Sequence, residues 1–381
     1  MNLALSDEQV FLREAARGAL SRFKTLEAAR AALDGDDSAL PDLWPTACEA
    51  GWPGLLIDEA HGGAGLDAFD AMLVMGECGR VLAGVPLLGH LPATAILADA
   101  PRVAEYLPAL ASGERRAAYL PSQPPTDVDP RWTADPASGM ERAPLPNGSA
   151  PNANAEVKLS GRYGFVPDAP GANALIGVAL IDGEPAGVAI MADAEGVQVE
   201  PVRRYDATRS LAHVSLTEAT ATVLDASVQS LEGAWHLTQA LIAAESLGSV
   251  ETALEMSVAY AKERHTFGRA IGSYQAVKHS LTEVLRQLEN GRSLLYYAGW
   301  SRQGAPGEFP LAASAARSVA GRALDQGART MISVHGGIGA TWEHDAPLYF
   351  RRAQLSRRLV GGTGAATDRV AGELIAQAQV A

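Results

Sequence analysis

The stretch YAKERHTFGRAIGSYQAVKHSLTEVL, Tyr260 to Leu285, decides how this chain is read. It joins two helical patterns through a short polar turn. After the turn, in QAVKHSLTEVLRQLENGRSLLYY, the apolar positions Val277, Leu281, Val284, Leu285, Leu288 and Leu295 step by three, four and seven. That spacing predicts one buried stripe on a long helix. The turn itself, Glu263 to Gln275, sets an arginine, hydroxyls and glycine-flanked N–H groups where one helix stops and the next begins. Proteins hold phosphate oxygens with such groups. Taken singly, the same pattern is most often just a glycine C-cap.

Working outward, two further clusters repeat the arrangement: VHGGIGATWE, Val334 to Glu343, and LVGGTGAATD, Leu359 to Asp368. Between them and the opening stretch lies LAASAARSVAGRALDQGARTMIS, an Ala-rich helical pattern whose small residues permit close packing. Upstream, EVKLSGRYGFV, NALIGVALI, AGVAIMA, GVQVEPV and LAHVSLTEATATVL alternate and are β-branched, with Gly or Asp at the breaks. They predict a small β domain. Residues 122–156 carry seven prolines and few large apolar groups, and read as a long irregular loop. From Leu5 to about Gly113 the pattern is helical, opening on Ser6 as N-cap with Gln9 completing a capping box. The apolar segment PLLGHLPATAILADA, punctuated by Pro86 and Pro92, reads as core packing before it reads as a pocket wall.

At 381 residues the chain is long enough for two or three domains. With 47% hydrophobic and 20% charged residues it is an ordinary globular composition. The formal net charge of −13 argues against nucleic acid or an anionic membrane surface as partner. Cys48 and Cys78 have neither metal-ligand nor disulfide spacing, so no metal site is expected. No apolar run of membrane-spanning length occurs, and the charged N-terminus lacks a signal-peptide core, so a cytoplasmic location is expected. HExxH, GxSxG and Walker patterns are absent, so no self-contained nucleophilic or metal site is predicted.

YAKERHTFGRAIGSYQAVKHSLTEVL and HGGIGATWEHDAPLYFRRA resemble the two C-terminal signatures of the acyl-CoA dehydrogenase family. GWPGLLIDEAHGGAGLDAFDAMLVMGECGR is similar to the family's entry helices. The resemblance implies an α+β fold with an N-terminal helical domain (1–117), a middle β domain (118–225) and a C-terminal four-helix bundle domain (226–381). It also implies dimers or tetramers with bound FAD, an acyl-CoA thioester substrate and electron-transfer flavoprotein or a similar acceptor. Arg264, Phe267 and Gln275 would then reach the FAD of a neighbouring subunit: the guanidinium on the pyrophosphate, the ring on the cofactor, the amide on a polar edge. Gly337 would let the backbone approach the adenosine end, and Thr363 would meet the chain's own FAD. The reaction needs a carboxylate to remove the α-proton of the thioester while flavin N5 takes the β-hydride.

That carboxylate is missing. Where most members read Tyr-Glu-Gly-Thr, this chain reads Val360-Gly361-Gly362-Thr363, so the usual base is Gly361. The alternative position used by some members aligns with Thr238. Glu245, seven residues on and on nearly the same helix face, is the one weak candidate for a displaced base, against a solvated or ion-paired role. A two-turn shift is about 10 Å. The family's Thr-Glu-Pro and Gly-Ser-Asp region aligns with AAYLPSQPPTDVD, Ala117 to Asp129, sharing only Pro124. Its Trp-Ile-Thr strand is Phe165-Val166-Pro167, and a usual Gln is Ser333. Residues serving a neighbour's FAD are kept while those holding a chain's own flavin are lost. The resemblance therefore points to the base-lacking subunit of an α2β2 heterotetramer, like actinobacterial members acting on steroid CoA thioesters, with the catalytic Glu on a homologous partner. A homo-oligomeric dehydrogenase with a displaced base and a non-redox acyl-CoA-binding scaffold remain open.

Overall fold

The computed structural model describes residues 4–33, 39–126, 129–134, 143–149, 156–203 and 205–380. The N-terminal part is helical: α1 (Asp7–Leu20), α2 (Thr25–Ala32), α3 (Trp44–Glu49), α4 (Ala68–Arg80), α5 (Leu87–Ala98) and α6 (Leu107–Ala111). The expected capping box opens α1, with Gln9 N–H donating to Ser6 Oγ and Ser6 N–H to Gln9 Oε1. Pro92 sits inside α5, which is buried from Leu87 to Thr94, so the segment is chiefly core.

The middle part is a sheet built from β1 (Ala117–Tyr119), β2 (Ser122–Gln123), β3 (Thr133–Ala134), β4 (Ala143–Pro144), β5 (Asn147–Gly148), β6 (Glu156–Pro167), β7 (Ala174–Ile181), β8 (Glu184–Met191), β9 (Val197–Pro201) and β10 (Leu211–Val223). β1, β7, β5, β6, β10 and β8 pair in that order, and β8 returns to pair with β7, so the main sheet closes on itself. Val157, Leu159 and Tyr163 of β6 face the interior, as their alternation requires. The region 122–156 differs from the expected loop: β2, β3 and β4 form a separate three-stranded sheet and β5 joins the main one. Strands of two residues leave no periodic signal. Residues 127–128, 135–142 and 150–155 of that expected loop lie outside the described residues.

The C-terminal part holds α7 (Val228–Glu263), the hairpin β11 (His265–Thr266) and β12 (Arg269–Ala270), then α8 (Gln275–Gly304), α9 (Phe309–His335), α10 (Ala346–Ser356) and α11 (Gly362–Val380). Helices α7, α8, α9 and α11 pack as a bundle with α9 in contact with the other three. The stripe on α8 is Val284, Leu288, Gly291, Leu295 and Ala298. Leu285 lies one position off it and is exposed, while Val277 and Leu281 in the first two turns are only half-buried. Helix α4 crosses α7 with backbones touching: a Cβ on Gly79 would lie 1.9 Å from Glu245 O, and one on Gly248 1.9 Å from Gly76 O. Only glycine permits that approach.

Four buried charges fasten the middle sheet to the C-terminal helices. Arg209, in the connection between β9 and β10, pairs with Glu245 of α7. Arg352 of α10 donates to Asp206 Oδ2 at 2.6 Å, Glu245 Oε1 at 2.7 Å and Thr208 Oγ1 at 2.6 Å. All four are almost fully buried. Burial pushes the Asp206 carboxyl up, but the Arg352 charge and the hydrogen bond from Thr208 outweigh it and hold it below the usual aspartate range. Removing one partner strands a buried charge, which costs about 3–5 kcal/mol. Arg352→Ala and Glu245→Gln should each lower the unfolding free energy by that amount, seen as a lower denaturant midpoint at constant slope. Because Asp206 is depressed, its contribution is complete above the ordinary aspartate pKa and is lost as pH falls through the lower folded value. Asp206→Asn should therefore flatten the acid limb of the stability profile.

Candidate functional site

The turn between α7 and α8 is an exposed polar corner. Arg264 ends α7 in an extended conformation, its N–H donating to Tyr260 O, and its guanidinium forms no ion pair among the described residues. The hairpin β11–β12 turns on Phe267 and Gly268, both with positive φ (50° and 77°). A two-residue hairpin favours that handedness, but a phenylalanine there is strained. The strain holds an apolar ring 98% exposed. Tyr274 O–H donates to Thr266 O at 3.0 Å, Arg269 lies 4.1 Å over the Tyr274 ring, and exposed Gln275 opens α8. Gly337 follows the α9 C-cap Gly336 (φ 63°), and no atom lies within 4 Å of a Cβ built on it. Tyr260 stacks on His335 at 4.5 Å, which brings the Gly337 turn to the same end of the bundle as Arg264. Thr363 is not there. Its Cγ2 packs over Gly321, fourteen residues before His335 in α9, about 21 Å by helix rise.

The position expected to hold the base is enclosed. Val360, Gly361 and Gly362 follow one another in the left-handed region (φ 51°, 69° and 64°). Gln239 Nε2 donates to Val360 O at 2.9 Å, and Arg317 Nη2 donates to Ser356 O and Leu359 O. A Cβ on Gly361 would lie 3.1 and 3.2 Å from Cζ2 and Cη2 of buried Trp235. Thr238 is wholly buried, its hydroxyl donating to Ala234 O at 2.8 Å. Glu245 is committed to its two arginines, which is the ion-paired role and leaves no free carboxylate.

Several groups near the expected flavin cradle are engaged within the chain, while Gln123 Oε1 is buried without a hydrogen-bond partner among the described residues. Val178 N–H donates to Ser122 Oγ, which itself donates to Leu120 O. Arg369 of α11 donates to Pro125 O at 3.3 Å. Phe165 (φ 53°) gives its N–H to His213 Nδ1 and meets that ring edge-on, while Val166 and Pro167 pair with β10. A cleft of about 700 Å³ opens between α5, the start of α7 and the α8–α9 turn, lined by Asp99, Glu232, His236 and Arg302 among others. Gly361, Thr238 and Glu245 take no part in it. Burial pushes the His236 imidazole down to about 3, so it is neutral at physiological pH. Among the described residues no His, Cys, Asp or Glu cluster can hold a metal, and no helix is long and apolar enough to cross a membrane.

The acyl-CoA dehydrogenase N-terminal domain model matches residues 6–114, and the C-terminal domain model matches 230–375. Acyl-CoA dehydrogenase IpdE2 of Mycolicibacterium smegmatis is 30% identical over 94% of this chain and 96% of its own length. The chain belongs to the acyl-CoA dehydrogenase family. It is also 32% identical to acyl-CoA dehydrogenase FadE34 of Mycobacterium tuberculosis over 97% of its length, and spans 48% of that protein. The solved Tcur3481–Tcur3483 steroid ACAD variant superposes with a TM-score of 0.85 at 27% identity, covering 98% of this chain and 99% of that one.

FAD is the cofactor of this family. The acyl-CoA dehydrogenase fold of this chain fits the group at one corner and not at the other. Arg264, Phe267, Gln275 and Gly337 face outward at one end with room for a ligand. Of the self-flavin positions, Ser122, Pro125 and Phe165 are engaged in internal hydrogen bonds, while Thr363 lines a cleft with Arg322 and Arg357. Trp235, Gln239 and Arg369 were not foreseen from the sequence, because each acts on a residue more than 120 positions away. Two outcomes follow for the isolated chain. Phe267→Ala should change stability by no more than about 0.5 kcal/mol, since the ring is solvated. Gly361→Glu should lower the unfolding free energy by about 1 kcal/mol or more, read as a lower denaturant midpoint, because a left-handed glycine is lost and the Trp235 ring must shift.

Proposed function

We propose that this chain is the base-lacking subunit of a heteromeric, FAD-dependent acyl-CoA dehydrogenase that desaturates a steroid-type CoA thioester. One contrast carries the reading: an exposed Arg264–Phe267–Gln275 corner beside a reaction centre in which Gly361 abuts Trp235. A homologous partner supplies the catalytic carboxylate and the flavin cradle. This chain supplies Arg264 to neutralise the pyrophosphate, Phe267 to pack on the cofactor, Gln275 to fix a polar edge and Gly337 to admit the adenosine end. FAD, when bound, accepts the β-hydride and passes electrons to an electron-transfer flavoprotein or similar acceptor. Thr363 lines a separate cleft with Arg322 and Arg357 and would meet a flavin of the chain's own there.

The likeness to a steroid enzyme named for two gene products supports pairing with an unlike chain. So does FadE34, in which a region matching this chain leaves half the protein for a further unit. A cytoplasmic α2β2 tetramer is the assembly proposed. Expressed alone, the chain should purify colourless; co-expressed with a homologue bearing Glu at the position aligned with Gly361, it should copurify with FAD. Arg264→Ala should weaken FAD binding to the complex roughly tenfold to a hundredfold, since a charge-assisted hydrogen bond contributes about 1.5–3 kcal/mol. A yellow lone chain bleached by an acyl-CoA would establish the homo-oligomeric alternative. A colourless chain that stays so with every homologue would establish the scaffold.

A further inference from the structure

The cleft between α5, the start of α7 and the α8–α9 turn contains none of the expected flavin or base positions. Its floor is His236 and Phe309, 1% and 5% exposed. His236 precedes Thr238 by two residues, about 200° around α7, so the cleft opens on the opposite face of that helix from the expected base position. The rim is tied. Asp99 Oδ2, at the end of α5, accepts from the N–H and the hydroxyl of Ser227 at 2.9 and 2.7 Å, where α7 begins. A volume of about 700 Å³ is within the roughly 300–1,000 Å³ of small-molecule sites.

Two polar side chains in this cleft are left over. Neither ring nitrogen of His236 has a hydrogen-bond partner among the described residues, and neither does the buried Nη1 of Arg302. Buried polar groups are seldom left so, because each forfeits its bonds to water. The carboxylate that acts on Arg302, Asp67, is occupied in capping α4, where it accepts from the N–H groups of Phe69 and Asp70. Burial pushes both cleft groups down; the imidazole is neutral at neutral pH, while the guanidinium keeps its charge. Arg302 Cζ lies 5.9 Å from the centre of the Phe309 ring and the His236 ring 6.4 Å, so one ligand lying along that ring reaches both.

We propose that this cleft binds a hydroxylated carboxylic acid with an apolar body, a ligand distinct from the CoA thioester. The carboxylate pairs with the Arg302 guanidinium. The hydroxyl meets His236; because a hydroxyl both donates and accepts, it suits either tautomer of a neutral imidazole. Ala95, Phe309 and Pro310 cover the apolar body. Asp99 is exposed at the rim, where water and salt screen it, and half-buried Glu232 lies one turn of α7 from His236, where it opposes a second negative charge on the ligand.

Isothermal titration of 10-hydroxydecanoate into the lone chain should give one saturable site. Decanoate and 1,10-decanediol, each lacking one of the two groups, should bind about fivefold or more weakly. Arg302→Leu should weaken 10-hydroxydecanoate about tenfold or more and leave decanediol nearly unchanged. His236→Phe should abolish the preference for 10-hydroxydecanoate over decanoate. Arg302→Gln and His236→Leu serve if those variants do not fold. The proposal is overturned by the absence of saturable binding, by equal affinity for the three probes, or by unchanged affinity in both folded variants. Displacement of the bound acid by octanoyl-CoA overturns it as well, since the cleft would then be a thioester site. None of these readouts involves flavin. Failure of the base-lacking role would appear separately, as flavin bound and reduced by acyl-CoA in the lone chain.

Discussion

Asp206, Arg209, Glu245 and Arg352 are two carboxylates and two guanidiniums buried where the sheet, α7 and α10 meet. Taking such charges out of water costs several kcal/mol each, and only near-complete pairing recovers it. Here the pairing is nearly complete. All three nitrogens of the Arg352 guanidinium have acceptors, and Glu245 accepts from both arginines. A cluster of this kind adds little net stability over an apolar plug, but it tolerates only one arrangement. It sets the sheet against the bundle.

Away from the cluster the two ends of the bundle differ. The α7–α8 turn points away from the cluster into solvent, where Phe267 is held out at a backbone angle an apolar residue rarely takes. Strain and exposure together at one residue are costs without return inside this chain, which is why the corner reads as half of a site. The Gly361 turn sits on the inner side, packed on Trp235 and tied by Gln239 and Arg317. One end of the bundle offers groups to a ligand, while the other has spent them on itself.

Much of the architecture was legible because it is written locally. The Ser6–Gln9 box, the alternation of β6 and the small residues of α9 each specify an element through neighbours a few positions away. Where the code is not local, the reading slipped. Leu285 has the right residue type but the wrong angle about α8, and is exposed; the two-residue strands in 122–156 gain their partners from segments distant in the chain. Glu245 read as a weak base candidate because sequence spacing gives its helix face but not what it meets there. What it meets is Arg209 and Arg352.

The sequence by itself determined the helices, the strands, the family likeness and the loss of a carboxylate at position 361, since residue identity and short-range periodicity suffice for these. Tertiary structure alone decided that Gly361 packs against an indole 126 residues away in the chain, that Glu245 is bound to arginines, and that Arg264, Phe267 and Gln275 share an open corner with Gly337. Packing and charge pairing act through space, between residues whose separation along the chain carries no signal of their contact.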